Sequence, residues 1–429
     1  MLRTAWVGRS QRIRSSLGGA RRRAVVTVLT CAALVGAGLA GAAPAGAAAS
    51  GGGGDGPVVR VASGVEYRSF TVPATYGPAR AHLVTVDLRD PRVRLGLLHP
   101  GAVAARRTVS AMADTAGAVA AVNGDFFNIS EAQHPGVEAT GAAVGPAVAD
   151  GRQLKAAVPD GQRFGPALPP GTHTPDVFGV GLDRRARIGR LDLHGTVHTE
   201  QGRLPLGGLN QYALPVGSVG AFTADWGAMS RLRSVCGTDT DRAAPCSTDT
   251  YEVTVRAGRV VAAADTPGAG PVGAHETVLV GRESGAQQLR KLAVGERVHV
   301  RHRLVAEGSR SPFRFAVGGY PVLRDGRPLA GLDTLTSAVR SAVGASDDGR
   351  RLYLLALDGA PDFRTGLTIA EVAALMRELG ARDAFSLDGG GSSTLASRDP
   401  GAPTVTVRNH PSGGMERAVP NGIGVFVGG

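Results

Sequence analysis

The stretch RLYLLALDGAPDFRTGLTIAEVAALMRELGARDAFSLDGGGSST, residues 351–394, decides how the chain is read. RLYLLAL is an apolar run of strand length that ends in Asp358-Gly359, and AFSL is a second one that ends in Asp388-Gly389. Between them, Thr368 followed three positions on by Glu371 forms a capping box. Ile369, Val372, Leu375, Met376 and Leu379 line one helical face, and Gly380 stops the helix. The pattern predicts a strand–helix–strand unit with an Asp-Gly loop after each strand. If the strands are parallel neighbours, a right-handed crossover brings both loops to one edge of the sheet, where sites of α/β units form.

Upstream, the turn-rich composition points to β structure. Residues 150–310 hold short strands such as VFGVGL, YEVTVRAG, ETVLVG and ERVHVRHRL, separated by DG, AG and PG turns. His82–Leu88 and Val93–Leu98, split by Asp90-Pro91, read as a strand pair joined by a turn. Thr108 to Gly117 carries helical spacing and feeds AVAAVNGDFF, a short buried strand running into an Asn-Gly turn. The expected fold is α+β, with a β-rich mixed sheet core and the strand–helix–strand unit near the C-terminus. The chain divides into a signal peptide (1–47), a flexible linker (48–57) and a domain (58–429). That domain has an N-terminal part (58–150), a β-rich middle (151–310) and a catalytic C-terminal part (311–429).

The leader explains most of the charge. The net charge is +11, and residues 1–47 contain seven arginines and no acid, so removing them leaves +4. Arg21, Arg22 and Arg23 precede an apolar run from Ala24 to Ala43, and Ala45, Ala47 and Ala49 suit A-x-A cleavage. The reading is therefore a secreted protein, with a mature N-terminus between Ala48 and Gly51 and no stable membrane insertion after cleavage. Association with the cell wall and export by the twin-arginine route stay open, as does an uncleaved anchor. Lys155 and Lys291 are the only lysines, and aromatic residues make up 4% of the chain, so the footprint of a nucleic-acid-binding surface is missing. Cys236 and Cys246, the two cysteines beyond the leader, would meet an oxidising compartment and are expected to form a local disulfide.

LDGGGSST is the segment best suited to chemistry. Gly389, Gly390 and Gly391 allow a backbone nest for a phosphate, and Ser392 adds a hydroxyl. No lysine follows, so it is not a P-loop. Asp358 and Asp388 form the carboxylate pair that hydrolysis of a glycosidic bond needs, one to protonate the leaving oxygen and one to attack or to activate water. Either alone also suits a plain turn. In NGDFF, Asn123 and Gly124 suit a turn, and Asp125 beside two aromatics suits a sugar or a hard cation such as calcium. Arg340 offers a phosphate fork. His134 and His410, each beside a proline, read as loop histidines.

Several segments together resemble one family. VNGDFF, VADGR, FAVGGYPVLRDG, RSAVGA, LLALDG, the run from Gly366 to Thr394 and ERAVPNGIGVF occur in the order seen in phosphodiester glycosidases. The resemblance covers roughly residues 60–427, with Arg340 to Thr394 as its specific part. It implies a pocket lined by Asn123, Asp125, Arg340, Asp358, Asp388, the three glycines and Ser392, although Asp125 departs from the family pattern. It also implies a hydrolase of sugar-1-phosphodiesters, of N-acetylglucosamine type or from cell-envelope glycans, that requires no cofactor. A wall-associated glycan-binding protein and a phosphodiesterase that breaks the P–O bond are the alternatives.

Overall fold

The computed structural model describes residues 56–307, 311–359 and 366–428. The leader and most of the linker lie outside them. None of the described helices is long and apolar enough to cross a membrane.

The strand-forming runs assemble, among the described residues, into sheets of eight, eleven and five strands. The fold is β-rich, with one parallel pair, Gly202–Leu209 beside Val219–Phe222, in otherwise antiparallel ladders. In the eight-stranded sheet, Ala79–Asp87, Arg351–Leu357, Ser341–Ala345, Asp383–Leu387 and Tyr320–Arg324 are successive neighbours. The eleven-stranded sheet gathers strands from Ala147 to Gly318. The five-stranded sheet runs Val405–Val407, Leu395–Arg398, Ala120–Asn123, Gly422–Val427, Val93–Leu98. Phe178 of the eleven-stranded sheet meets Phe385 of the eight-stranded one at 6.4 Å between ring centroids, inside a continuous apolar core.

Helix Ile369–Glu378 forms as its pattern dictates. Thr368 Oγ1 accepts from the Glu371 amide at 3.2 Å, and Glu371 Oε2 accepts from the Thr368 amide at 2.8 Å. Its other oxygen takes the Thr75 amide at 2.7 Å, so Glu371 is fully accounted for as a structural carboxylate. The helix buries Ile369, Val372, Leu375 and Met376 and packs on Tyr320–Arg324 and Asp383–Leu387. The strands flanking it are not neighbours. Ser341–Ala345 lies between Arg351–Leu357 and Asp383–Leu387 and is antiparallel to both.

Two local expectations are corrected. Ala79–Asp87 and Val93–Leu98 do not pair with each other. The first joins the eight-stranded sheet beside Val65–Val72, and the second pairs with Gly422–Val427. The Asp90-Pro91 break turns the chain from one sheet to another rather than folding back a hairpin. Asn123-Gly124 likewise makes no hairpin. Asn123 ends a strand flanked by Leu395–Arg398 and Gly422–Val427, two segments remote in sequence.

Candidate active site

Asp388 follows the strand Asp383–Leu387, and the chain then tightens into a 3-10 turn, Gly390–Ser392. Gly391 leaves room for the Arg417 guanidinium, which a Cβ there would displace. The turn spends amides on protein. Gly390 N donates to Val339 O at 2.8 Å, and Ser392 N to Gly389 O at 3.1 Å. Around Asp388 the donors are therefore side chains as well as backbone. Ser392 hydrogen-bonds its carboxylate, and Arg417 lies close, its Nη1 3.3 Å from Ser392 Oγ. Asp388 keeps part of its surface open. Even so, desolvation by the surrounding protein pushes its carboxyl up to about 6, against the pull of Ser392 and Arg417 and with help from the negative charge of Asp125.

Asn123 fastens this loop in place. Its Nδ2 donates to Asp388 O at 2.7 Å, while its Oδ1 accepts from Ser341 Oγ at 2.7 Å and from Thr394 N at 3.1 Å. The carboxamide is thereby committed to protein groups and ties the five-stranded sheet to the eight-stranded one. Gly124 sits against Asn421, where a Cβ would collide with the amide oxygen, and its own carbonyl accepts from Asp388 N at 2.9 Å.

Asp125 is buried one step further in. Its Oδ2 accepts from Gly145 N at 2.6 Å, and its Oδ1 has no hydrogen-bond partner among the described residues. The charge facing it is Lys155, equally buried, whose Nζ donates to the carbonyls of Val144 (3.2 Å), Ala156 (2.6 Å) and Gly145. Burial raises the Asp125 carboxyl and lowers the Lys155 ammonium, while their mutual attraction opposes both shifts. Arg163 adds a third charge, its guanidinium 4.9 Å from the Phe126 ring centroid and 5.6 Å from that of Tyr320.

Arg340 is placed between the two strand-end aspartates, on the residue preceding Ser341. Its Nε donates to Leu367 O at 3.0 Å and its Nη2 to Thr336 O at 2.7 Å. Asp358 follows Arg351–Leu357, two strands away from Asp388. At ordinary strand spacing the two chain positions stand about 10 Å apart.

The carboxylate of Asp358 has partners of its own. His82 Nε2 lies 2.9 Å from its Oδ1, and Tyr67 Oη lies 2.8 Å from the other ring nitrogen of His82. The His410 amide donates to the same Oδ1 at 2.6 Å, and His410 Nδ1 stands 3.4 Å from Oδ2. Burial alone would raise this carboxyl, but the bonds from His82 and His410 outweigh it and hold it below its ordinary value. Asp358 is 3% exposed, while the His410 side chain is 75% exposed. Asn409 ties the backbone next to His410 to both strand ends, since its Nδ2 donates to Leu357 O at 3.2 Å and to Ser393 O at 2.9 Å.

Sequence reasoning thus missed His82, Lys155, Arg163, His410 and Arg417. Arg417 lay in ERAVPNG, a stretch too turn-rich to single out, and Lys155 carried one signal, its rarity. The cysteines do form the expected Cys236–Cys246 disulfide. His134 lies beside them, yet its ring nitrogens are taken by Glu131 (2.7 Å) and Ala244 O (2.8 Å), so the trio is not a free ligand set.

Comparison with known proteins agrees with the resemblance read from sequence. The family model described as phosphodiester glycosidase matches residues 249–426. No curated protein matches the chain. Among solved structures, a hypothetical protein from Synechocystis is similar at 21% identity and a TM-score of 0.66, over 86% of this chain; this chain spans only 63% of that one. A putative exported protein from Burkholderia pseudomallei K96243 is similar at 25% identity and a TM-score of 0.60, over 81% of this chain and 74% of that one. The catalytic domain of zebrafish N-acetylglucosamine-1-phosphodiester alpha-N-acetylglucosaminidase, auto-inhibited by its pro-peptide, aligns at 15% identity and a TM-score of 0.41, over 85% and 83% of the two chains.

Proposed function

We propose that this chain, whose residues 249–426 match the phosphodiester glycosidase family, is an exported hydrolase that cleaves the glycosidic bond of sugar-1-phosphodiesters. The observation that carries the reading is the opposite displacement of two strand-end carboxyls, Asp388 upward to about 6 and Asp358 downward. Environments that push two titratable groups apart are how a site separates an acid from a base. Asp388, protonated below about pH 6, gives its proton to the departing phosphate oxygen. Arg417 and Ser392, and Arg340 on the neighbouring strand end, supply positioned donors for the phosphate charge.

Asp358 is enclosed, so it acts through the exposed imidazole of His410, which it orients. His410 removes a proton from water as the water oxygen bonds to the anomeric carbon and the carbon–oxygen bond to phosphate breaks. The products are a free sugar and an intact phosphomonoester. Export is supported by the arginine-rich leader with its A-x-A ending and by the description of one structural neighbour as a putative exported protein. A calcium ion at Asp125 is no part of these steps.

The test is isotopic. Hydrolysis of a sugar-1-phosphodiester in ¹⁸O water is expected to label the sugar and leave the phosphomonoester unlabelled, with the sugar trapped before its anomeric oxygen exchanges. Label in the phosphate would assign the chain to P–O cleavage. No turnover across a panel of such diesters would favour the glycan-binding alternative.

A further inference from the structure

The long strand Ala186–Thr199 is flanked by Gly202–Leu209 on one side and His299–Ala306 on the other, a three-stranded ribbon within the eleven-stranded sheet. Alternation sends Leu191, Val197, Leu206 and Leu304 inward, where all are buried. The opposite face is left to solvent, and it is basic. Register aligns Arg203, His198 and His299 in one row across the three strands, Arg301 opposite Thr196 in the next, and Arg303 opposite His194 in the third.

The six arginines and histidines of these rows have no acid among them. Asp192 lies at one margin and Glu200 at the turn. Some surface arginines elsewhere are matched to carboxylates, as Arg256 is to Glu276 and Arg290 to Asp249. Arg203, Arg301 and Arg303 close no such pair among the described residues. The crowding registers on His198, whose imidazole is held below its ordinary value by desolvation and then by Arg203, Arg301 and His299. Like charges gathered on a flat face cost stability when nothing neutralises them, so the arrangement fits a partner that brings the opposite charge.

The partner's chemistry can be narrowed. Guanidinium forks match phosphate oxygens two at a time. Rows about 5 Å apart across strands and about 7 Å apart along them present a lattice of donors to an extended chain with repeating charge. The ribbon has no Phe, Tyr or Trp on this face to stack bases. None of the large exposed hydrophobic side chains lies on it, so nothing there inserts into a bilayer. We propose that this face binds an extended polymer with a phosphodiester-linked backbone, on a different sheet from Asp388 and independently of turnover.

The test uses the mature chain and a triple variant, Arg203→Thr with Arg301→Thr and Arg303→Thr. All three side chains are exposed, so the fold should persist, as a melting curve would verify. Binding of poly(glycerol phosphate) is measured at two salt concentrations. The variant is expected to bind at least about 10-fold more weakly, with a shallower dependence on salt, because fewer phosphates are neutralised. Equal binding by variant and parent would overturn the proposal. So would parent affinity for phosphatidylglycerol vesicles equal to that for the polymer. Because no reaction is measured, the result stands apart from whether Asp388 performs hydrolysis.

Discussion

Asp388 carries the sharpest expectations of any single residue. With its carboxyl at about 6 and its protonated form doing the work, the rate should fall as pH rises above that value. Asp388→Asn should cost at least about 10²-fold in kcat and remove that limb. Its effect on stability has the opposite sign. The folded carboxyl holds its proton more tightly than the unfolded one at 3.8, so the parent loses stability as pH climbs from about 4 to about 6. The neutral variant escapes this and should gain about 2 kcal/mol relative to the parent above pH 6, after allowance for the part of the group that water reaches. Paired melting curves at pH 4 and pH 7.5 check it.

His410 and Asp358 are expected to behave as one unit. His410→Ala and Asp358→Asn should each slow turnover, and the double variant should be no slower than the worse single one. Additive losses would separate them. The aspartates at the two strand ends were legible because an apolar run followed by Asp-Gly announces itself. His410 was not legible. A histidine beside a proline has no periodic pattern, and its importance arises from a contact 52 residues away in sequence.

Among the elements, legibility follows locality. Helix Ile369–Glu378 was readable to its cap because every interaction that defines it spans a few residues. Strand pairing was not, because partners are chosen by the tertiary fold. Val93–Leu98 bypasses the strand next to it in sequence for one more than 300 residues later.

The Cys236–Cys246 loop is local in sequence, and its surroundings bear on the site. His134 Nε2 meets Ala244 O at 2.8 Å within the loop, and Arg242 Nη1 donates to Arg163 O at 2.6 Å. Cys236→Ser with Cys246→Ser should therefore cost about 2–3 kcal/mol by loop entropy, visible as a lowered denaturation midpoint. It should also loosen the backbone that presents Arg163 to Phe126 and Tyr320. Susceptibility of this segment to proteolysis, compared between parent and variant, reports on that second effect.

Over the whole molecule, the candidate site draws on residues from Tyr67 to Arg417 and on all three sheets, although the family model begins only at residue 249. Residues 120–163 supply the strand that fastens the Asp388 loop and the buried charges behind it, so the matched segment by itself lacks part of the candidate site. The strand Gly422–Val427 sits between Ala120–Asn123 and Val93–Leu98 and hydrogen-bonds to both. A ribosome delivers those two strands long before their common partner. Until the last of them emerges, the five-stranded sheet has a gap where its fourth strand belongs, and Asn123 has no settled frame from which to hold Asp388. The sheet therefore closes only once residues 422–427 have been made, and a chain cut short before them is expected to lack the frame from which Asn123 holds Asp388.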